Sequence, residues 1–165
     1  MPIELREYDP TYPAAFAAMQ ERLLGALGDE AVAIHHLGST SVPGLLAKPK
    51  VDIFIESELV FPSATADLRL RELGFMPPTG AKELGIGHGA YDRAGDPAYA
   101  LHWCLVGSPP LEAALRFREL LLGDQELRER YVEAKLAALR AHPDDPREYN
   151  FEKARVIRCA LLGIE

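Results

Sequence analysis

The stretch HHLGSTSVPGLLAKPKVDIFIE, residues 35–56, holds two apolar runs separated by a polar loop. Ala31 to Leu37 reads as a strand running into Gly38-Ser39, and Lys50 to Glu56 reads as a second strand. Between them, Gly38 to Pro49 is rich in Gly, Ser, Thr and Pro and reads as a loop or a short helical turn. Glycine allows close backbone approach, and a serine hydroxyl there stands beside free backbone N–H groups. Gly38, Ser39 and Thr40 therefore make a turn able to cradle a phosphate, although the same composition is that of an ordinary turn. Lys48 would bring a mobile positive charge to the same ligand. Asp52 falls early in an apolar strand, where an unpaired carboxylate is costly, so it is expected to meet a metal or a hydrogen-bond partner.

Outward from this stretch, an apolar stripe of Ala14, Phe16, Ala17, Leu23, Leu24 and Leu27 predicts a first helix from Pro13 to Leu27, closed by Gly28. Ser63 is placed to cap a helix ending near Gly74. The glycine-rich stretch 75–97 reads as short strands or a mobile loop. Ala100 to Val106 reads as a buried strand. Three helices are then expected: Pro110 to Leu122, Gln125 to Ala141 behind Asp124, and Pro146 to Leu162 behind a capping box of Asp145 and Glu148. Mixed strands and helices followed by a helical run predict one α+β domain over 1–165, a small mixed β-sheet covered by helices.

Composition sets bounds on partners. The chain has 165 residues, enough to bury a core without cross-links. Its net charge of −7 argues against non-specific binding of DNA or RNA, but leaves room for a small phosphorylated ligand or nucleotide held by local cations. Cys104 and Cys159, far apart, do not make a secreted disulfide framework. No apolar run has the length of a signal peptide core or a membrane helix, and the expected compartment is the cytoplasm.

Several short strings resemble the GrpB family, a branch of the nucleotidyltransferase-like fold. They are Tyr8-Asp9-Pro10 with Tyr12-Pro13 and Phe16, His36-Leu37-Gly38-Ser39-Thr40, Val42-Pro43-Gly44, Ala47-Lys48-Pro49 and Asp52-Ile53. Leu101-His102, Gly107-Ser108-Pro109, Phe117-Arg118, Tyr131 with Lys135, His142-Pro143, and Tyr149 with Lys153 follow in family order. The resemblance implies a nucleotidyltransferase-like core with a helical C-terminal part, and with it transfer of a nucleotidyl group to an acceptor.

Two-metal nucleotidyl transfer needs clustered carboxylates to hold divalent ions such as Mg²⁺. Acids at i and i+2 of a strand share a face about 6–7 Å apart. Here the i+2 position after Asp52 is Phe54, and Glu56 lies roughly 13 Å along the strand from Asp52. The acidic pair is missing, and Asp92 or Asp96 is the remaining source of an acid. His36, Asp52 and His102 form an alternative ligand set for one divalent metal, although either histidine also fits a hydrogen-bonded core position. A Cys104–His102 nucleophile pair lacks any sign of an oxyanion hole. Tyr131 with Lys135, and Tyr149 with Lys153, share helix faces at i, i+4; turned toward the Gly-Ser loop, both lysines would complete an anion site, with Arg118 as a further candidate. The expected function is thus a nucleotidyltransferase-like protein with Asp52 as its catalytic acid. The alternatives are a catalytically silent ligand-binding module and a metal-dependent hydrolase.

Overall fold

The computed structural model describes residues 3–77 and 90–164. Its order is α1 (Tyr12–Leu27), β1 (Ala33–Leu37), β2 (Lys50–Ser57), α2 (Ala64–Glu72), β3 (Ala90–Arg93), β4 (Ala98–Leu105), α3 (Pro109–Gly123), α4 (Gln125–Ala141) and α5 (Pro146–Leu162). The four strands form one sheet in the order β1-β2-β4-β3. β1 runs antiparallel to β2, β2 parallel to β4, and β3 antiparallel to β4. The sheet is therefore mixed and helix-covered, as the alternation of elements implies.

Strand parity divides the sheet into two faces. One carries Ile34, Val51, Ile53, Ile55, Tyr99, Leu101 and Trp103, packed on Met19, Leu23 and Leu27 of α1 and on Ala66 and Leu70 of α2. Trp103, fully buried, donates its indole N–H to the carbonyl of Leu59 at 2.9 Å, so the core's largest side chain leaves no polar atom unpaired. On the opposite face Leu37, Phe54 and Cys104 meet Leu111, Ala114 and Leu115 of α3. A third apolar cluster joins the loop to the helical part: Val42 and Leu45 pack with Phe117, Leu121, Leu127 and Tyr131.

The caps follow their sequence signals. Ser63 accepts from the Ala66 N–H, Asp124 from the Leu127 N–H, and Asp145 from the N–H groups of Arg147 and Glu148. The reciprocal half of the expected capping box does not form, because the Asp145 N–H is directed to the His142 carbonyl at 3.4 Å. In the glycine-rich stretch, β3 pairs with β4, and Met76 bridges to Asp92. His88 and Gly89 lie outside the described residues. No helix among those described is long and apolar enough to cross a membrane.

Candidate functional site

The turn after β1 is built around one close approach. Gly38 has φ 72° and ψ −173°, and a Cβ built on it would stand 2.1 Å from Oδ2 of Asp52. Only glycine lets the carboxylate lie against the backbone there. A short 3₁₀ turn follows, Ser39–Ser41, closed by the Ser41 hydroxyl donating to the Gly38 carbonyl at 2.7 Å. Asp52 sits on β2 opposite Leu37 of β1 and Ala100 of β4, so its side chain shares the α3 face of the sheet.

The loop draws cations from the helical part. Lys135, 1% exposed, donates from Nζ to Oγ of Ser39 at 3.3 Å and to the carbonyl of Leu46. Its ammonium lies 4.6 Å from the centre of the Tyr131 ring. Lys48 lies 4.1 Å from the Tyr149 ring centre, and Lys153 approaches the same ring at 5.8 Å. Tyr149 is thus a shared wall between a loop lysine and a helix lysine. The described residues form salt bridges elsewhere, but none involves Lys48, Lys135, Lys153 or Arg118. Arg118 also carries a buried Nε without a hydrogen-bond partner.

Crowding of like charge marks these groups. Burial, reinforced by Lys153, pulls Lys135 down to about 7. Burial, with Lys153 and Lys50, pulls Lys48 down to about 8, while Asp52 opposes the shift. Lys153 is lowered by burial, again against Asp52. Burial raises the phenols of Tyr131 and Tyr149, with Ser39 countering the shift at Tyr131. An ammonium removed from water without a carboxylate is costly, and several such groups in one place repel. An anion entering among them would relieve both costs.

The structure brings together Gly38, Ser39, Lys48, Asp52, Tyr149, Lys135 and Lys153. Thr40 stands apart in role: it is 1% exposed, and its hydroxyl is 3.0 Å from Nε2 of His36. His36 stacks on Phe16 at 4.8 Å and is held down to about 4 by burial and the positive charge of Arg118, against Asp52. Its register partner is Ile53, which places it on the α1 face, opposite Asp52. His102 shares the Asp52 face, with Nε2 3.7 Å from Oδ1 of Asp52, and stacks on Phe54 at 4.4 Å. The expected trio of His36, Asp52 and His102 is therefore divided by strand parity. No three His, Cys, Asp or Glu among the described residues gather at metal-binding distance.

The other acids are engaged elsewhere. Glu56 meets Nε2 of His35 at 3.1 Å. Asp96 pairs with Arg6 at 3.0 Å. Asp92 lies on the same face as Asp52, both opposite Ala100 on its two sides, but it is paired with Lys50. Two strand spacings separate Asp92 from Asp52, about 9–10 Å, too far for one ion. Cys104 is buried, and burial with Glu56 raises its thiol, which weakens any nucleophilic role. Sequence reasoning missed the Leu46 carbonyl, an anchor that carries no residue-type signal, and the Lys50–Asp92 pair, whose acid sits in a strand that composition hides. Two surface clefts include none of these lysines, one along Ala134, Ala138 and Cys159 between α4 and α5, the other along Pro43, Gly44 and Glu133.

A family model described as "GrpB protein" matches residues 2–162. Over 160 residues the chain is 30% identical to the UPF0157 protein YqkA of Bacillus subtilis, covering 96% of this chain but 46% of that one. The chain thus spans under half of that relative's length. It is also 29% identical over 165 residues to a dephospho-CoA kinase of Mycolicibacterium paratuberculosis, covering 83% of this chain and 40% of that protein. A crystal structure of GrpB from Enterococcus faecalis has the same fold, with a TM-score of 0.79 at 23% identity over 97% of this chain and 98% of that one.

Proposed function

The chain belongs to the GrpB family, and from that premise and the loop geometry we propose that it binds a nucleotide or another small phosphorylated ligand at the turn after β1. The observation that carries this reading is the convergence of Lys48, Lys135 and Lys153 on one loop with no salt bridge to any of them among the described residues. Ser39 would donate from its hydroxyl to a phosphate oxygen, and Lys48 and Lys153 would neutralise its charge. Arg118, with its buried and unpartnered Nε, would supply a further donor. Tyr149 would hold Lys48 and Lys153 apart and aimed.

Two-ion nucleotidyl transfer does not fit the donor set. Among the described residues Asp52 has no second acid beside it; it stands next to His102 and near lysines that would repel a resident cation. Mg²⁺ would fit as an ion carried in by ligand phosphates, with Asp52 as one protein ligand. The alternative of a silent binding module draws on this absence of clustered acids; the metal-dependent hydrolase has lost its ligand set to strand parity.

The test is a thermal-shift and calorimetric screen of inorganic phosphate, nucleoside mono-, di- and triphosphates and dephospho-CoA, each with and without Mg²⁺ and Mn²⁺. Dephospho-CoA enters because a protein of that kinase's name contains a matching stretch. Binding lost in Lys48→Ala and Lys153→Ala, with melting temperatures close to wild type, is the expected result. Failure of every phosphorylated compound to bind would overturn the reading.

A further inference from the structure

Among the described residues the site gathers no cluster of acids, while it holds a serine and a lysine in direct contact. Ser39 and Lys135 face one another at 3.3 Å across 96 residues of chain. Lys135 is almost wholly buried, and its only other hydrogen-bond partner among the described residues is the Leu46 carbonyl. An ammonium in this place donates to both oxygens. A neutral amine in the same place can still donate one N–H to Leu46 with its lone pair facing the Ser39 hydroxyl. The arrangement thus serves a neutral lysine as well as a charged one, and leaves the serine half-buried beside the cations that would hold a phosphate.

We propose that Ser39 is a nucleophile and Lys135 its general base, and that the serine takes a phosphoryl or nucleotidyl group from the bound ligand as a covalent ester. The inference rests on the anion-site reading for its electrophile. In the step, Oγ of Ser39 forms a bond to phosphorus, the bond from phosphorus to the leaving oxygen breaks, and the hydroxyl proton passes to Nζ of Lys135. Return of the group to water or an acceptor hydroxyl completes the cycle: the acceptor oxygen bonds to phosphorus and gives its own proton to solvent, the ester bond to Oγ breaks, and the Lys135 proton restores the hydroxyl. Burial and the charge of Lys153 keep Lys135 at about 7, so a large share of it is already neutral near physiological pH. Lys48 and Lys153 would meanwhile balance charge on the phosphorus oxygens. Tyr131 also lies beside Ser39 and would steady its hydroxyl.

The test uses a probe that does not depend on the natural ligand. The full chain is treated with a dialkyl fluorophosphonate, which esterifies activated serines with loss of fluoride, and is then mapped by peptide mass spectrometry. The expected result is a single adduct on the peptide bearing Ser39, no adduct in Ser39→Ala, and at least tenfold slower labelling in Lys135→Gln. Lys135→Arg, which keeps a positive charge but cannot accept a proton, serves as a second variant should the glutamine variant unfold, and is expected to be equally slow. An unlabelled wild type, label on another residue, or undiminished labelling in a folded Lys135 variant would overturn the proposal. Calorimetry of phosphate and ATP on wild type and Ser39→Ala separates the two readings. Binding without labelling removes the nucleophile and leaves the anion site, whereas labelling without binding removes the anion site.

Discussion

Gly38 is held in a backbone conformation that side-chain-bearing residues avoid, and Asp52 occupies the space a Cβ would need. Gly38→Ala is therefore expected to cost about 1–3 kcal/mol in urea unfolding. Pairing it with Asp52→Gly should recover part of that loss, because the contact is removed while the backbone strain stays. A full additive loss in the double variant would show that the contact carries no energy. Asp52 also offers a charge test. If it faces bound phosphate directly, Asp52→Asn should tighten metal-free phosphate binding by removing repulsion, and weaken any Mg²⁺-dependent increment. Equal binding by wild type and Asp52→Asn, with and without Mg²⁺, would place Asp52 outside the site. His36 belongs instead to the acid limb of stability. Its folded value of about 4 lies below the ordinary 6.5, so the unfolded chain takes up the extra proton. Stability should be lost as pH falls from about 6.5 to 4, and His36→Phe should flatten that limb in a melting series.

The loop from β1 to β2 and helices α4 and α5 form the unit in which charge and packing meet. Lys135 and Lys48, at about 7 and 8, both lie well below the ordinary 10.5. In the free protein the unfolded chain binds more protons across roughly pH 7 to 10.5, so stability should rise with pH over that window. Anion binding has the opposite pH dependence, because it draws on the charged form of Lys48 and is strongest where that lysine is protonated. Sulfate, whose charge is constant here, should bind best below about pH 7 and weaken by up to about tenfold per pH unit for each proton taken up. Flat sulfate affinity from pH 6 to 9 would contradict this coupling. On the apolar side of the loop, Leu45→Ala should cost about 2–5 kcal/mol, since Leu45 is 1% exposed in the cluster with Phe117 and Tyr131. These elements were legible where periodicity and caps agree: α4 and α5 start where Asp124 and Asp145 indicate. β3 was not, because four residues inside a glycine-rich stretch give too short an alternation to read. The i, i+4 spacing gave each tyrosine–lysine pair a common face, but only the tertiary packing decides which way that face turns. The division of His36 from Asp52 likewise depends on strand register, which residue spacing along the chain does not contain.

The molecule as a whole is acidic, with a net charge of −7, and its candidate site is a local inversion of that sign. Long polyanions should be repelled by the surrounding surface while small ones enter, so heparin and duplex DNA are expected to compete poorly with phosphate at low salt. Because the lysines are largely shielded from solvent, raising ionic strength should weaken phosphate binding less than it would at an exposed patch. The cations also come from distant parts of the chain: one from the loop, and one each from α3, α4 and α5. Ser39 and Lys135 stand 96 residues apart, so their meeting closes a long segment at a cost that grows slowly with its length. The sheet strands precede α4 and α5 in sequence, so the sheet can assemble before a complete binding place exists, and α5 completes that place. α5 has one fully buried side chain, Tyr149, and carries Lys153 into the repelling cluster. In the absence of anion it should be the first helix to open in hydrogen exchange, and phosphate should slow its amides more than those of α1. Ligand occupancy would then act as a clasp on α5, so that the supply of the small anion sets how long this helix resists proteolysis.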